Sequence, residues 1–233
     1  MKISRTFLAA AILSTMTAAS FAAAAPHLSS DAARNSMHVG VDLGYAAIQS
    51  PATYLYPTND ITHGSTSYKL GHFAYGANLG YDFALSQSWL LGPELGYYNF
   101  GYSQYQTNQD ALNDDTKIRS SAVDALARLT WMSQSGFNLF AKAGAAYVFQ
   151  KADAVTGFAS TANSNSRSAH AVAPEGDLGM GYQFANGLNL SLDYQHIFAS
   201  SESDAHFVSS NIRANKVYST NALFGEVSYR FAV

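Results

Sequence analysis

Phe73-Ala74-Tyr75-Gly76-Ala77-Asn78-Leu79-Gly80-Tyr81-Asp82-Phe83 and Trp89-Leu90-Leu91-Gly92-Pro93-Glu94-Leu95-Gly96-Tyr97 form two alternating legs around the turn Ala84-Leu85-Ser86-Gln87-Ser88. Large apolar or aromatic groups fall on nearly every odd residue of the first leg, and the second leg keeps that parity through Trp89, Leu91, Pro93, Leu95 and Tyr97. Successive side chains leave a strand on opposite faces, so a period of two over about ten residues per leg predicts a β-hairpin. The other face carries Gly76, Gly80, Gly92 and Gly96 in place of the Lys, Glu and Thr that suit bulk water. Glycine weakens a strand unless space is short, and the interior of a narrow barrel is short of space. Aromatics gather at the leg ends, with Phe83 and Trp89 beside the turn and Phe73, Tyr75 and Tyr97 at the far side. Two aromatic girdles around an apolar band are the pattern of a transmembrane β-barrel.

The same parity test predicts eight strands. Beyond the opening pair they are 37–47, 122–131, 137–149, 170–184, 188–198 and 217–231. Pro174 interrupts the 170–184 segment and belongs at an edge or a bulge. Over the eight segments the outward parity carries no formal charge, whereas the inward parity carries eleven, eight acidic and three basic. A Lys or Arg facing lipid at mid-membrane costs about 2–4 kcal/mol, so lipid selects an uncharged outer face. Connections alternate in length: 84–88, 132–136 and 185–187 are short, with Asn186-Gly187 a hairpin-turn pair, and 48–69, 99–121, 150–169 and 199–216 are long. Short turns face the periplasm in such barrels, which puts the four long loops outside and both termini on the periplasmic side. Gly80-Tyr81-Asp82-Phe83, Gly181-Tyr182-Gln183-Phe184 and Ser228-Tyr229-Arg230-Phe231 recur where strands reach the short-turn side.

At the N-terminus, Lys2 and Arg5 precede an apolar run from Phe7 to Leu13 and the small residues Ala22-Ala23-Ala24, the layout of a cleaved signal peptide over 1–24. A periplasmic segment over 25–36 and a barrel over 37–233 follow from that reading. Charged residues make up 12% of the chain, 13 basic against 16 acidic, which gives no basal attraction for a nucleic acid. With no cysteine, the fold relies on its backbone ladder and barrel closure, and disulfide staples are excluded.

On these features the chain resembles the eight-stranded outer-membrane barrels of Gram-negative bacteria typified by the OmpA transmembrane domain. The resemblance implies an all-β, antiparallel up-and-down barrel in the outer membrane, contact with outer-membrane lipid and lipopolysaccharide, and delivery by periplasmic chaperones and the barrel assembly machinery. It also implies that the closing strand, with outward Leu223, Val227, Tyr229 and Phe231, is the assembly signal, although Ala232-Val233 follow where such chains usually end on the aromatic. The peptidoglycan-binding domain of OmpA has no counterpart after this strand, so cell-wall anchoring is not expected.

Glu94, Arg128 and Lys142 lie at inward positions of consecutive strands, three to five residues above the short-turn side, and Glu226 lies at a similar height on the opposite wall. Ions in a confined lumen must be paired or hydrated. These four residues are therefore expected to form a lumen ion-pair network, and an eight-stranded interior is narrow enough for such a plug to fill it. A narrow porin-like channel is the alternative. His196 at the outer interface, followed by Ser200 and Ser201, raises the third possibility of a lipid-modifying enzyme, but the spacing differs from the His-x-Ser pattern of lipid A hydrolases and no outward acid orients the ring. His63 and His206 near Asp60 and Asp204, and the run Asp110-Ala111-Leu112-Asn113-Asp114-Asp115, lack metal-ligand spacing. No catalytic, metal or cofactor site is expected. The long loops are left as the place for host or cell-surface ligands.

Overall fold

The structure, a computed structural model, describes residues 33–49, 66–69, 71–109, 112–155, 166–198 and 217–232. Strands β1 (Ser36–Ile48), β2 (Thr66–Lys69), β3 (His72–Ala84), β4 (Trp89–Gln109), β5 (Leu112–Met132), β6 (Phe137–Val155), β7 (Ser166–Gln183), β8 (Leu188–Ile197) and β9 (Thr220–Ala232) make up all of its regular structure. Each pairs antiparallel with its neighbours; β1 closes the ring against β9, and β2 continues the stave of β3 along β4. The result is a closed, eight-stranded antiparallel up-and-down barrel, in which closure removes the exposed sheet edges.

The parity read from the hairpin holds around the wall. Val41, Leu79 and Leu95 expose 54%, 54% and 52% of their surface on the outside, while Asp42, Asp82 and Glu94 are buried within. Inward glycines stand directly across the ladder from the largest inward side chains: Gly44 opposite Phe224, Gly76 opposite Tyr98, Gly80 opposite His38 and Gly179 opposite Phe140. A methyl group on Gly80 would lie 2.5 Å from His38 Cε1. Volume is thus shared between strands, large beside absent, which is how a lumen this narrow is packed.

Two of the three short turns, 133–136 and 184–187, repeat one design. Gly136 donates its N–H to Ser133 C=O and Gly187 to Phe184 C=O, both at 3.1 Å, and the two glycines have φ of 94° and 92°. Gly187 is therefore the fourth residue of the turn 184–187, and the Asn186-Gly187 pair sits in the tight hairpin connection that the sequence had marked. The three tyrosine/phenylalanine repeats place ring pairs at this end, with centroids 4.6 Å apart for Tyr81–Phe83, 5.0 Å for Tyr182–Phe184 and 4.7 Å for Tyr229–Phe231.

Strand lengths differ from the sequence reading at the other end. Segment 99–121, predicted as a long loop, is a hairpin in which β4 and β5 stay paired as far as Gln109 and Leu112, and β6 and β7 likewise extend into 150–155 and 166–169. The cause of the misreading is a bulge: one extra residue in β4 between Asn99 and Tyr102, with Gly101 at φ 68°, inverts the parity so that alternation breaks while hydrogen bonding continues. β7 passes Pro174 without a bulge, in unbroken register with β6. Its ladder with β8 instead begins at Glu175, just beyond the residue that lacks an N–H, and Phe198 N–H donates to Pro174 C=O at 3.0 Å. The proposed signal segment, His63, His206, Ser200 and Ser201 lie outside the described residues.

Candidate functional site

Two layers fill the lumen. The lower layer is built on Glu94 of β4, 2% exposed, whose same-face neighbours in its own strand are Gly92 and Gly96. Its Oε1 lies 2.7 Å from Lys142 Nζ on β6, and its Oε2 lies 3.0 Å from Arg128 Nη1 on β5 and 3.1 Å from His38 Nε2 on β1. His38 reaches Glu94 across Gly80, the residue between them in the ladder. Its other nitrogen, Nδ1, lies 3.0 Å from Asp82 Oδ2, which Arg230 Nη2 approaches to 3.1 Å. An imidazolium presents an N–H at each nitrogen and so matches both carboxylates. Lys142 also meets Asp193 Oδ2 of β8 at 2.9 Å, and Arg128 stacks 4.3 Å from the Phe140 ring centroid. The chain of contacts therefore runs from β9 through β3, β1, β4 and β6 to β8, across the whole bore.

Glu94, Arg128 and Lys142 are brought together, and Glu226 is not. Among the described residues its two carboxylate oxygens accept no hydrogen bond. Asp193 on the strand before it reaches Lys142 first, and Arg128 is occupied by Glu94. Sequence parity missed His38, Asp82, Arg230 and Asp193 as members because it assigns a face and not a reach. The signal available was the register of inward glycines, which shows where a side chain can lie across its neighbour.

Inward carboxylates outnumber cations, and Asp124 and Glu175 face each other. Asn78 Nδ2 donates to Asp42 Oδ2 at 2.8 Å, Gln195 Nε2 donates to Glu175 Oε1, and Asp124 lies over Gly96. Buried carboxylates in this arrangement are held by amide dipoles and by the summed field of the cations below.

The upper layer is apolar. Ala46, Ala74, Tyr98, Phe100, Ala122, Ala146, Val148, Ala173, Ile197, Val217, Ala222 and Phe224 form one buried cluster inside the barrel. Tyr98 is its centre, with ring centroids 6.2 Å from Phe100 and 5.4 Å from Phe224. The sequence concealed this layer: alanine suits either face, and Phe100 fell in what looked like a loop. An apolar layer in a bore disfavours the entry of water and ions.

On the outer wall, His196 Nδ1 is 2.6 Å from Asn221 Oδ1, which also accepts from Tyr194 Oη at 2.7 Å, and the imidazole packs edge-on against Phe198. An amide oxygen fixes the ring without supplying the charge of a catalytic acid. On the closing strand, Val227, Tyr229 and Phe231 face outward and Leu223 is half-buried.

Comparison with known proteins places this geometry in a family. A family model described as the OmpA-like transmembrane domain matches residues 32–233. No match is found among curated proteins. Among solved structures, Ail of Yersinia pestis, determined in complex with the heparin analogue sucrose octasulfate, is 14% identical over 85% of this chain and 100% of that chain, with a TM-score of 0.43. The outer membrane protein OprG of Pseudomonas aeruginosa is 13% identical over 87% of this chain and 99% of that chain, with a TM-score of 0.46. The outer membrane enzyme PagL is 13% identical over 82% of this chain and 98% of that chain, with a TM-score of 0.37.

Proposed function

The chain belongs to the OmpA-like transmembrane domain family and is an outer-membrane β-barrel; from that premise we propose that it serves as a closed, non-enzymatic scaffold that displays its long connections outside the cell. Both termini face the periplasm in this reading, and the displayed segments meet host or cell-surface ligands. The assembly machinery reads the outward Leu223, Val227, Tyr229 and Phe231 of β9. One observation carries the proposal: the bore is occupied twice, by the ion pairs around Glu94 and by the apolar cluster around Tyr98. A continuous aqueous path needs a gap through both. Among the described residues, the His196 ring is held by the Asn221 amide oxygen and not by a carboxylate, which fits a wall residue of a scaffold.

Planar-bilayer recording of the refolded chain tests it. Little or no conductance is expected from the parent, and little from Arg128→Ala, because the apolar layer stays in place. Arg128→Ala with Phe224→Ala breaches both layers and should give a leak selective for cations, given the acidic excess of the lumen. Large parental conductance indifferent to these changes would put the narrow-channel reading first.

A further inference from the structure

Every member of the apolar upper layer but one lies on a strand. The exception is Val217, buried in the layer although it precedes β9, whose ladders with β1 and β8 both end at Thr220. Side chains from distant staves hold the residues 217–219 in place. Gln150 of β6 takes both polar backbone groups of Tyr218: its Oε1 accepts Tyr218 N–H at 2.8 Å, and its Nε2 donates to Tyr218 C=O at 3.0 Å. A primary amide offers the donor and the acceptor that a neighbouring peptide would, so Gln150 stands in for a rung of the ladder. Its Nε2 also reaches Ser120 Oγ of β5 at 3.4 Å. Tyr218 packs against the buried pair Ile48 of β1 and Ile118 of β5. Ser219 C=O accepts Gln49 N–H at 2.9 Å, and Ser219 Oγ donates to Gln49 Oε1 at 3.1 Å, just past the end of β1.

The order of the staves shows where these bonds lead. Counted from β9 through β8 and β7, β6 and β5 are the third and fourth strands, which on an eight-stranded ring form the far wall. The residues 217–219 therefore lean from β9 across the bore, at the end where the long connections leave. The two feet of the connection 199–216 differ accordingly. Phe198 is exposed on the outer wall, with its N–H donated to Pro174 C=O at 3.0 Å, whereas Val217 is fastened inside. A pull on the connection reaches Val217 before it reaches a strand. Local opening is drawn from segments with few ladder bonds, so within the upper layer Val217 is the member best placed to move while the barrel stays closed.

We propose that the residues 217–219 are a latched strap, the movable part of the upper layer, and that Gln150 is the latch. Seated, the strap holds Val217 among the side chains of the bore. Released, it withdraws Val217 and uncovers the layer at that mouth, while Tyr98 and Phe224 stay on their strands. The consequence for conduction rests on the closed-bore reading; the strap itself does not.

The chain has no cysteine, so one introduced thiol reports one position. V217C, in the full chain refolded in maltoside micelles, is reacted with a maleimide whose polyethylene glycol chain is too large to enter the bore. Modification then requires the strap to leave its seat, and V217C should react slowly. Adding Q150L, which keeps most of the volume and removes both hydrogen bonds to Tyr218, should speed the reaction about thirtyfold, as the loss of two hydrogen bonds from a local opening predicts. Q150N, one methylene too short to reach, should act likewise. A222C, in the same layer but on β9, should stay unmodified with and without Q150L. Heat-shifted gel migration checks folding, and Q150N carries the test if Q150L does not fold. Equal rates for V217C with and without the Gln150 changes would overturn the latch. Fast modification of V217C with Gln150 in place would overturn the seated strap. Acceleration of A222C together with V217C would show that the whole mouth loosens and would overturn the proposal as well. The reaction reads neither current nor orientation in a membrane, so its failure is separable from failure of the scaffold reading.

Discussion

At the scale of residues, the lumen is organised by which carboxylate faces which cation. Lys142 bridges Glu94 and Asp193 at 2.7 and 2.9 Å, so its loss leaves two buried carboxylates one cation short. Removing one partner of a buried ion pair costs about 3–5 kcal/mol, and Lys142→Met is expected to fall in that range. Glu226, buried among the same charges with no hydrogen bond to its carboxylate from a described residue, is the opposite case. Glu226→Gln keeps the shape and removes a charge, so it should be neutral or stabilising. Urea unfolding in lipid vesicles of the two variants checks the ranking; a larger loss for Glu226→Gln would show that the network is centred elsewhere. Parity in the sequence placed Glu94, Arg128, Lys142 and Glu226 on the inner face alike. It could not rank them, because ranking depends on reach across intervening strands, as His38 reaches across Gly80.

At the scale of elements, each strand separates a lipid face from a lumen face within a single residue step. Leu190 and Ser191 of β8 make the comparison cleanly. Leu190 shares the outer face with Val227, its ladder partner, whereas Ser191 is paired with Glu226. Leu190→Arg should cost about 2–4 kcal/mol near mid-membrane. Ser191→Lys should cost far less, since the new ammonium lies beside a carboxylate that lacks a cation. Refolding yield and urea midpoints read both, and equal penalties would mean that the faces are misassigned. The existence of each strand was legible because lipid and a narrow bore impose opposite demands on alternate residues. Strand ends were not legible: above the girdle neither demand applies, and the β4–β5 ladder runs on past Gly101 with its parity inverted. The apolar upper layer was hidden for a related reason, since alanine at Ala122, Ala146 and Ala173 is compatible with either face.

At the scale of the whole molecule, the ring of hydrogen bonds decides how the barrel responds to being cut. Protease added to intact cells is expected to nick near residues 60, 110, 160 or 205 and to spare 84–88 and 132–136, as the proposed outward placement of the long connections requires. The site near 110 is the most informative, because it lies at the tip of a hairpin whose legs stay paired down to the membrane. Cutting there removes no rung of the ladder: β4 remains bonded to β3 and β5, and β5 to β6. A barrel closed between β1 and β9 has no free edge at which unzipping could start. The two fragments should therefore co-migrate as one folded species on an unheated gel and separate only on boiling. Dissociation of the nicked barrel without heat would show that the β4–β5 connection contributes to closure, and cleavage at 84–88 in intact cells would invert the topology.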